Sequence, residues 1–165
     1  MEKKKKYISK EEAIKKLEHY CAYQDRCHKE VRQKLYDLGA YGDDLENVIV
    51  HLIAENFLNE ERFAKSYARG RFRMKDWGRY RIVRELKFRN VSEYCIKKAL
   101  AELEEEDYEG SLRAFLLRKI EYTRAKDKYD LKNKIAKMAL RRGFESPLVW
   151  QTLRELDNEG KLWTK

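Results

Sequence analysis

Proline is almost missing from this sequence, with one residue in 165, and glycine is scarce at seven. A fold of many short strands needs these residues at its corners, so their scarcity argues against turn-rich all-β architecture. Cysteine is sparse and odd in number. Cys21, Cys27 and Cys95 make no disulfide framework, and a cytoplasmic location is the simplest inference. No stretch approaches the roughly 20 apolar residues of a membrane span. Lys3 to Lys6 are not followed by the apolar segment of a signal peptide. There is no Gly-rich phosphate loop, no His-Glu-x-x-His and no nucleophile elbow. His19, His28 and His51 are dispersed and read as solvent-facing. Cys21 and Cys27 lie near His19 and His28, but the spacing matches no usual zinc pattern, and on one helix the two thiols fall on different faces. They read as small, semi-buried side chains. The expectation is a protein without enzyme activity, metal or cofactor.

What the chain does have is charge and helix-forming residues. Charged residues make up 41% and apolar residues 42%, against roughly 25% charged in an average soluble domain. That balance suits amphipathic helices packed in thin layers. The net charge of +9 favours a polyanion as partner: nucleic acid, an acidic protein surface or anionic lipid.

The apolar pattern repeats. Around Gly39 it runs Val31, Leu35, Leu45, Ile49, Leu52. Around Asn90 it runs Ile82, Leu86, Ile96, Leu100, Leu103. Around Gly143 it runs Ile135, Ala139, Val149, Leu153, Leu156. Offsets from the centre are −8, −4, +6, +10 and +13 in all three sets, and the centres are 51 and then 53 residues apart. Gly or Asn at the centre fits a left-handed helix C-cap. A further helix precedes each set: one begun by Ser9 with Glu12 as a capping box, one from Glu60 to about Lys75, one from about Tyr108 to Arg124. The fold expected is all-α, three tandem three-helix repeats in an elongated molecule. The expected segments are a basic tail at 1–8, repeats at 9–58, 59–107 and 108–157, and a tail at 158–165. The acidic run Glu102, Glu104, Glu105, Glu106, Asp107 reads as a helix end and solvated linker.

The positive charge is local. From Arg62 to Arg89 there are eleven Lys or Arg against Asp76 and Glu85, a net of +9 that equals the whole chain's. On the first helix of this stretch, Phe63, Tyr67, Gly70 and Met74 form one stripe, expected to pack. Arg62, Lys65, Arg69 and Arg73 form another, about 120° away at roughly 100° per residue. After Asp76-Trp77-Gly78 come Arg79, Arg81, Arg84 and Lys87, interleaved with Trp77 and Tyr80. The bland reading of such a run is a solvated helical face. The near absence of acids within it favours contact with a polyanion, and nothing in the pattern specifies base readout.

The run Phe57-Leu58-Asn59-Glu60-Glu61-Arg62-Phe63-Ala64, then Tyr67, then Gly78-Arg79-Tyr80-Arg81-Ile82-Val83-Arg84-Glu85-Leu86 resembles the RecX family of recombinase regulators. That family typically shows Leu-Asp-Asp-Glu-Arg-Phe-Ala followed by Gly-x-x-Arg-Ile-x-x-Glu-Leu. Glu30 to Leu35 followed by Gly39 is similar to its first-unit signature. The resemblance runs from about Ser9 to Leu156; in the third unit Ala139 replaces a larger apolar residue and Pro147 enters the last helix's first turn. It implies a curved array of three-helix repeats. It also implies a RecA recombinase filament on single-stranded DNA as partner, with duplex DNA a further candidate through backbone contacts. The implied activity is inhibition of RecA (ATP hydrolysis, strand exchange, coprotease) by blocking filament extension or promoting disassembly, in regulation of DNA repair. On this reading the protein is a monomer, and Arg69, Arg71, Arg73, Lys75, Arg79, Arg81, Arg84 and Lys87 form the RecA- and DNA-binding surface. Phe63, Leu86, Ile96 and Leu100 would hold that surface in shape. Two other readings remain open: a helix-turn-helix DNA regulator, and a scaffold for acidic proteins.

Overall fold

The computed structural model describes residues 7–104 and 106–164; Lys3 to Lys6 and Glu105, named above, lie outside them. The described residues form nine α-helices: α1 (Lys10–Tyr23), α2 (His28–Leu38), α3 (Gly42–Ala54), α4 (Glu60–Lys75), α5 (Arg79–Phe88), α6 (Glu93–Glu104), α7 (Tyr108–Tyr122), α8 (Lys128–Arg141) and α9 (Ser146–Asn158). Short polar side chains start several of them by accepting a hydrogen bond from an otherwise orphaned first-turn amide. Ser9 Oγ accepts from Glu12 N at 3.2 Å, Asn59 Oδ1 from Arg62 N at 2.9 Å, and Ser92 Oγ from Cys95 N at 3.3 Å. Asp107 and Asp127 do the same for α7 and α8.

The helix ends share one device. Gly39, Asn90 and Gly143, the three repeat centres, adopt φ of +87°, +57° and +94°. After each, the next amide reaches back five residues: Ala40 N to Leu35 O at 2.9 Å, Val91 N to Leu86 O at 3.1 Å, Phe144 N to Ala139 O at 3.2 Å. This double-bonded left-handed cap satisfies the carbonyls that a helix end leaves open, and it folds the following side chain back onto the helix. Ala40, Val91 and Phe144 are accordingly buried. Asn56, Asp76 and Gly160 are also left-handed; Phe57 N and Lys161 N reach back five residues to Leu52 and Leu156, and Trp77 N reaches back six to Arg71.

Packing groups the chain into two compact units. One holds the residues up to Ser66 together with Leu86–Lys98; the other holds Tyr67–Glu85 with the chain from Ala99 onward. The division therefore falls inside α4, α5 and α6. In the first unit, α1 packs on α3 and α2 around Ala13, Leu17, Val31, Leu35, Val48 and Leu52. His51, expected at the surface, is half-buried with Nε2 2.7 Å from Glu18 Oε1. Arg62 is tied down as well, donating to Asp25 Oδ1 at 2.7 Å and to the carbonyls of Asn56 and Phe57 at the end of α3.

In the second unit, α7, α8 and α9 pack on one another. A chain of aromatic rings runs through its core. Phe72 stacks on Tyr108 (5.6 Å between centroids), Tyr108 meets Phe144 (5.4 Å), and Phe144 meets Phe115 (6.2 Å). The buried face of α4 is Phe63, Ala64, Ala68 and Phe72, whereas Met74 is 81% exposed. The expected stripe through Tyr67, Gly70 and Met74 is thus displaced by about one position. The alanines at 64 and 68 give the helix its flat side, and they carry the packing that the larger residues were expected to carry.

Where α8 ends, α5 begins. Gly78 N donates to Arg142 O at 2.7 Å, and Tyr80 N donates to Gly143 O at 3.0 Å. Neither glycine has room for a side chain: a Cβ on Gly78 would stand 2.4 Å from the Gly143 carbonyl carbon, and one on Gly143 would stand 2.4 Å from Arg81 N. Gly42 is left-handed too, at +59°, but faces open space. Replacing Gly143 with alanine is expected to lower stability by about 2 kcal/mol or more, from left-handed strain and overpacking together. Gly42→Ala is expected to lose about 1 kcal/mol, from strain alone. Urea unfolding followed by circular dichroism distinguishes the two; equal losses would contradict the close approach at Gly143.

Candidate nucleic-acid interface

Seven of the eight basic residues singled out from the sequence fall in the second packing unit; Lys87 is exposed on the last turn of α5, in the first. The seven are held in three different ways. Arg79 belongs to the start of α5. Its own amide donates to Tyr108 Oη at 3.0 Å, and that hydroxyl donates on to the Glu145 carboxylate at 3.0 Å. The Arg79 guanidinium lies 3.8 Å from the centre of the Tyr108 ring and 3.5 Å from Glu145 Oε1. Burial, joined by the nearby Glu145 charge, pushes the Tyr108 phenol far above its ordinary pKa, so it stays a neutral donor. Arg79 is therefore a structural member as much as a surface charge.

Arg71 and Arg81 are held by stacking. The left-handed turn at Asp76 brings Trp77 back over the last turn of α4. There its indole receives Arg81 at 4.3 Å and Arg71 at 5.3 Å. Tyr67 meets Trp77 edge-on at 6.3 Å and also lies under Arg71 at 4.9 Å. Trp77 thus serves as a platform for guanidiniums. Arg81 donates to Arg141 O at 3.4 Å. Arg142 donates to Lys75 O at 2.8 Å, and Arg118 pairs with Asp76 at 3.0 Å.

Arg69 and Arg73 are held by carboxylates. Arg69 Nη1 lies 2.9 Å from Glu102 Oε2, and Arg73 is paired with Glu106. The segment expected to be a solvated linker therefore supplies two counter-charges to the basic helix. Lys75 and Arg84 are exposed. Tyr80, 65% exposed and one turn before Arg84, is the aromatic that faces outward here.

Sequence reasoning missed Arg118, Arg141 and Arg142, which join this surface from 40 to 70 residues away in the chain. Local charge counting had no means of finding them. It likewise missed that Glu102, Glu106 and Glu145 return to the basic segment. Among the described residues there is no cluster of His, Cys, Asp or Glu that could hold a metal ion. Cys21 and Cys27 are buried, and burial pushes the Cys21 thiol up to about 11. No helix of the described residues is long and apolar enough to cross a membrane.

Residues 59–100, which hold α4, α5 and most of α6, match the family model for the second three-helix domain of RecX. Over 139 residues the chain is 28% identical to the regulatory protein RecX of Prosthecochloris aestuarii, covering 83% of this chain and 88% of that one. Over 137 residues it is 31% identical to the regulatory protein RecX of Clostridium perfringens strain 13, covering 81% of this chain. Residues 59–100 thus belong to the RecX family as its second three-helix domain, and the chain is similar to RecX proteins along most of its length. It spans 63% of the length of the Clostridium relative. The crystal structure of RecX from Lactobacillus salivarius has the same fold, with a TM-score of 0.78 at 23% identity over 90% of this chain and 97% of that one.

Tyr108→Phe would remove the hydroxyl that accepts from Arg79 N and donates to Glu145. A loss of about 1–3 kcal/mol in unfolding free energy is expected for the stranded Arg79 amide and the lost hydroxyl–carboxylate bond. Unfolding in urea checks this, and an unchanged midpoint and slope would show that the hydroxyl carries no such bonds.

Proposed function

We propose that the protein regulates RecA by binding the recombinase filament on single-stranded DNA. On this reading the arginine-rich face of α4 and α5, in the second packing unit, contacts the phosphate backbone. The observation that carries the DNA contact is the convergence on one surface of cations from separate segments: Arg71 and Arg81 stacked on Trp77, Arg81 bonded to the backbone of Arg141, and Arg142 bonded to the backbone of Lys75. Guanidiniums suit phosphate because their planar fork presents several donors at a fixed geometry. The link to RecA rests on the RecX domain at residues 59–100 and on the similarity to RecX proteins.

Phosphate contact of this kind is independent of sequence and sensitive to salt. It lets a regulator follow a filament wherever it forms. Docked there, the protein would block extension or promote disassembly, and so lower ATP hydrolysis, strand exchange and coprotease function together. RecA ATP hydrolysis on single-stranded DNA is expected to fall when this protein is added well below one copy per recombinase. The Lys75→Glu, Arg84→Glu, Arg141→Glu triple variant alters exposed side chains and should keep its helicity while losing that effect. Undiminished inhibition by the folded triple variant would overturn the surface assignment. No effect from the natural protein would remove RecA from the reading.

A further inference from the structure

The basic face of α4 carries its own competitor. Arg69 and Arg73 lie one turn apart on the same stripe, and each is engaged by a carboxylate from the far end of α6 and the turn beyond it: Glu102 at 2.9 Å, and Glu106. Glu102 and Glu106 are themselves four residues apart, so the two pairs form matching rungs between one stretch and the other. The carboxylates are the less exposed partners: Glu106 keeps 22% of its side-chain surface while Arg73 keeps 60%. An incoming phosphate therefore meets the guanidinium first, from the solvent side.

We propose that Glu102 and Glu106 act as an internal anion that a nucleic-acid phosphate must displace from Arg69 and Arg73, which weakens binding and flattens its salt dependence. The proposal rests on the DNA-contact reading above and concerns the regulation of that same surface. The physics is an exchange. A phosphate that binds a free arginine releases a condensed cation from the nucleic acid, and this release drives binding and makes it fall with salt. A phosphate that binds Arg69 or Arg73 parts a glutamate from its arginine, and the cation drawn to that carboxylate cancels much of the release. The second packing unit thus carries two kinds of arginine. Arg71 and Arg81 are stacked on an indole and, among the described residues, are paired with no carboxylate, so they should dominate contact at moderate salt. Arg69 and Arg73 join only when the local phosphate density is high enough to outcompete their partners.

The test is equilibrium binding of a fluorescein-labelled oligo-dT strand, by anisotropy, across a sodium chloride series. Glu102→Gln with Glu106→Gln keeps shape and hydrogen-bonding capacity while removing both charges. Tighter binding by about three- to tenfold is expected, the range for two exposed pairs. The plot of log K against log salt should steepen by about 1.4, two single-strand contacts' worth. Glu109→Gln with Glu121→Gln changes net charge equally at exposed positions elsewhere in the same unit and is the control. Equal gains from control and test pair would overturn the proposal, since the effect would then be one of net charge. No gain from the test pair, with Lys75→Glu, Arg84→Glu, Arg141→Glu still losing the strand, would overturn the competition and leave the surface standing. Full binding by that triple variant would remove the surface itself.

Discussion

The second packing unit depends on one backbone contact: the carbonyls that end α8 accept from the amides that begin α5. Arg142 and Gly143 supply the acceptors; Gly78 and Tyr80 supply the donors. Each group would otherwise be an orphan of its helix end. The partial negative charge of one helix terminus also faces the partial positive charge of the other, so the two dipoles attract. The contact requires glycine on both sides, because backbone meets backbone with no space for a Cβ. Everything placed on the basic face follows from it. Arg79 finds Tyr108 and Glu145, Arg81 finds Trp77 and the Arg141 carbonyl, and Arg142 reaches Lys75.

The helices were legible because their signals are local. A left-handed residue at a helix end is nearly always Gly or Asn, and Gly39, Asn90 and Gly143 stood at matched places in an apolar pattern that only helices produce. The reach-back that follows was hidden. Nothing in the identity of Ala40, Val91 or Phe144 shows that each is folded under its own helix. Asp76 was harder still, since aspartate rarely adopts positive φ. Its conformation is what delivers Trp77 to the arginines. The face of α4 was misjudged by about one position because apolar size was taken as the guide. Ala64 and Ala68 carry little apolar area, yet they are fully buried and set how closely the helix is approached.

The basic surface was legible as composition and illegible as arrangement. Counting charge from Arg62 to Arg89 located the excess, since neighbours along a helix stay neighbours in space. The partners of those charges come from distant segments. Glu102 and Glu106 follow by 33 residues and Glu145 by 66, so a window across the arginines contains none of them. Arg62 shows the same blindness in reverse. On the helical wheel it belongs to the exposed basic stripe, but Asp25 and the end of α3 occupy its donors.

Net charge is therefore a poor measure of what this surface can offer a phosphate. The relevant quantity is how each guanidinium is held before the ligand arrives. Stacking on Trp77 limits the rotamers of Arg71 and Arg81 without itself using an N–H donor, so little further order is lost on binding. A carboxylate partner limits rotamers as well, but it takes up the same donors that the phosphate needs. The two arrangements occupy different sides of α4: Arg69 and Arg73 share a stripe, and Arg71, two residues from each, points away from it toward Trp77. One helix thus presents a preorganised contact on one side and, on another, two that must first exchange an internal anion for an external one.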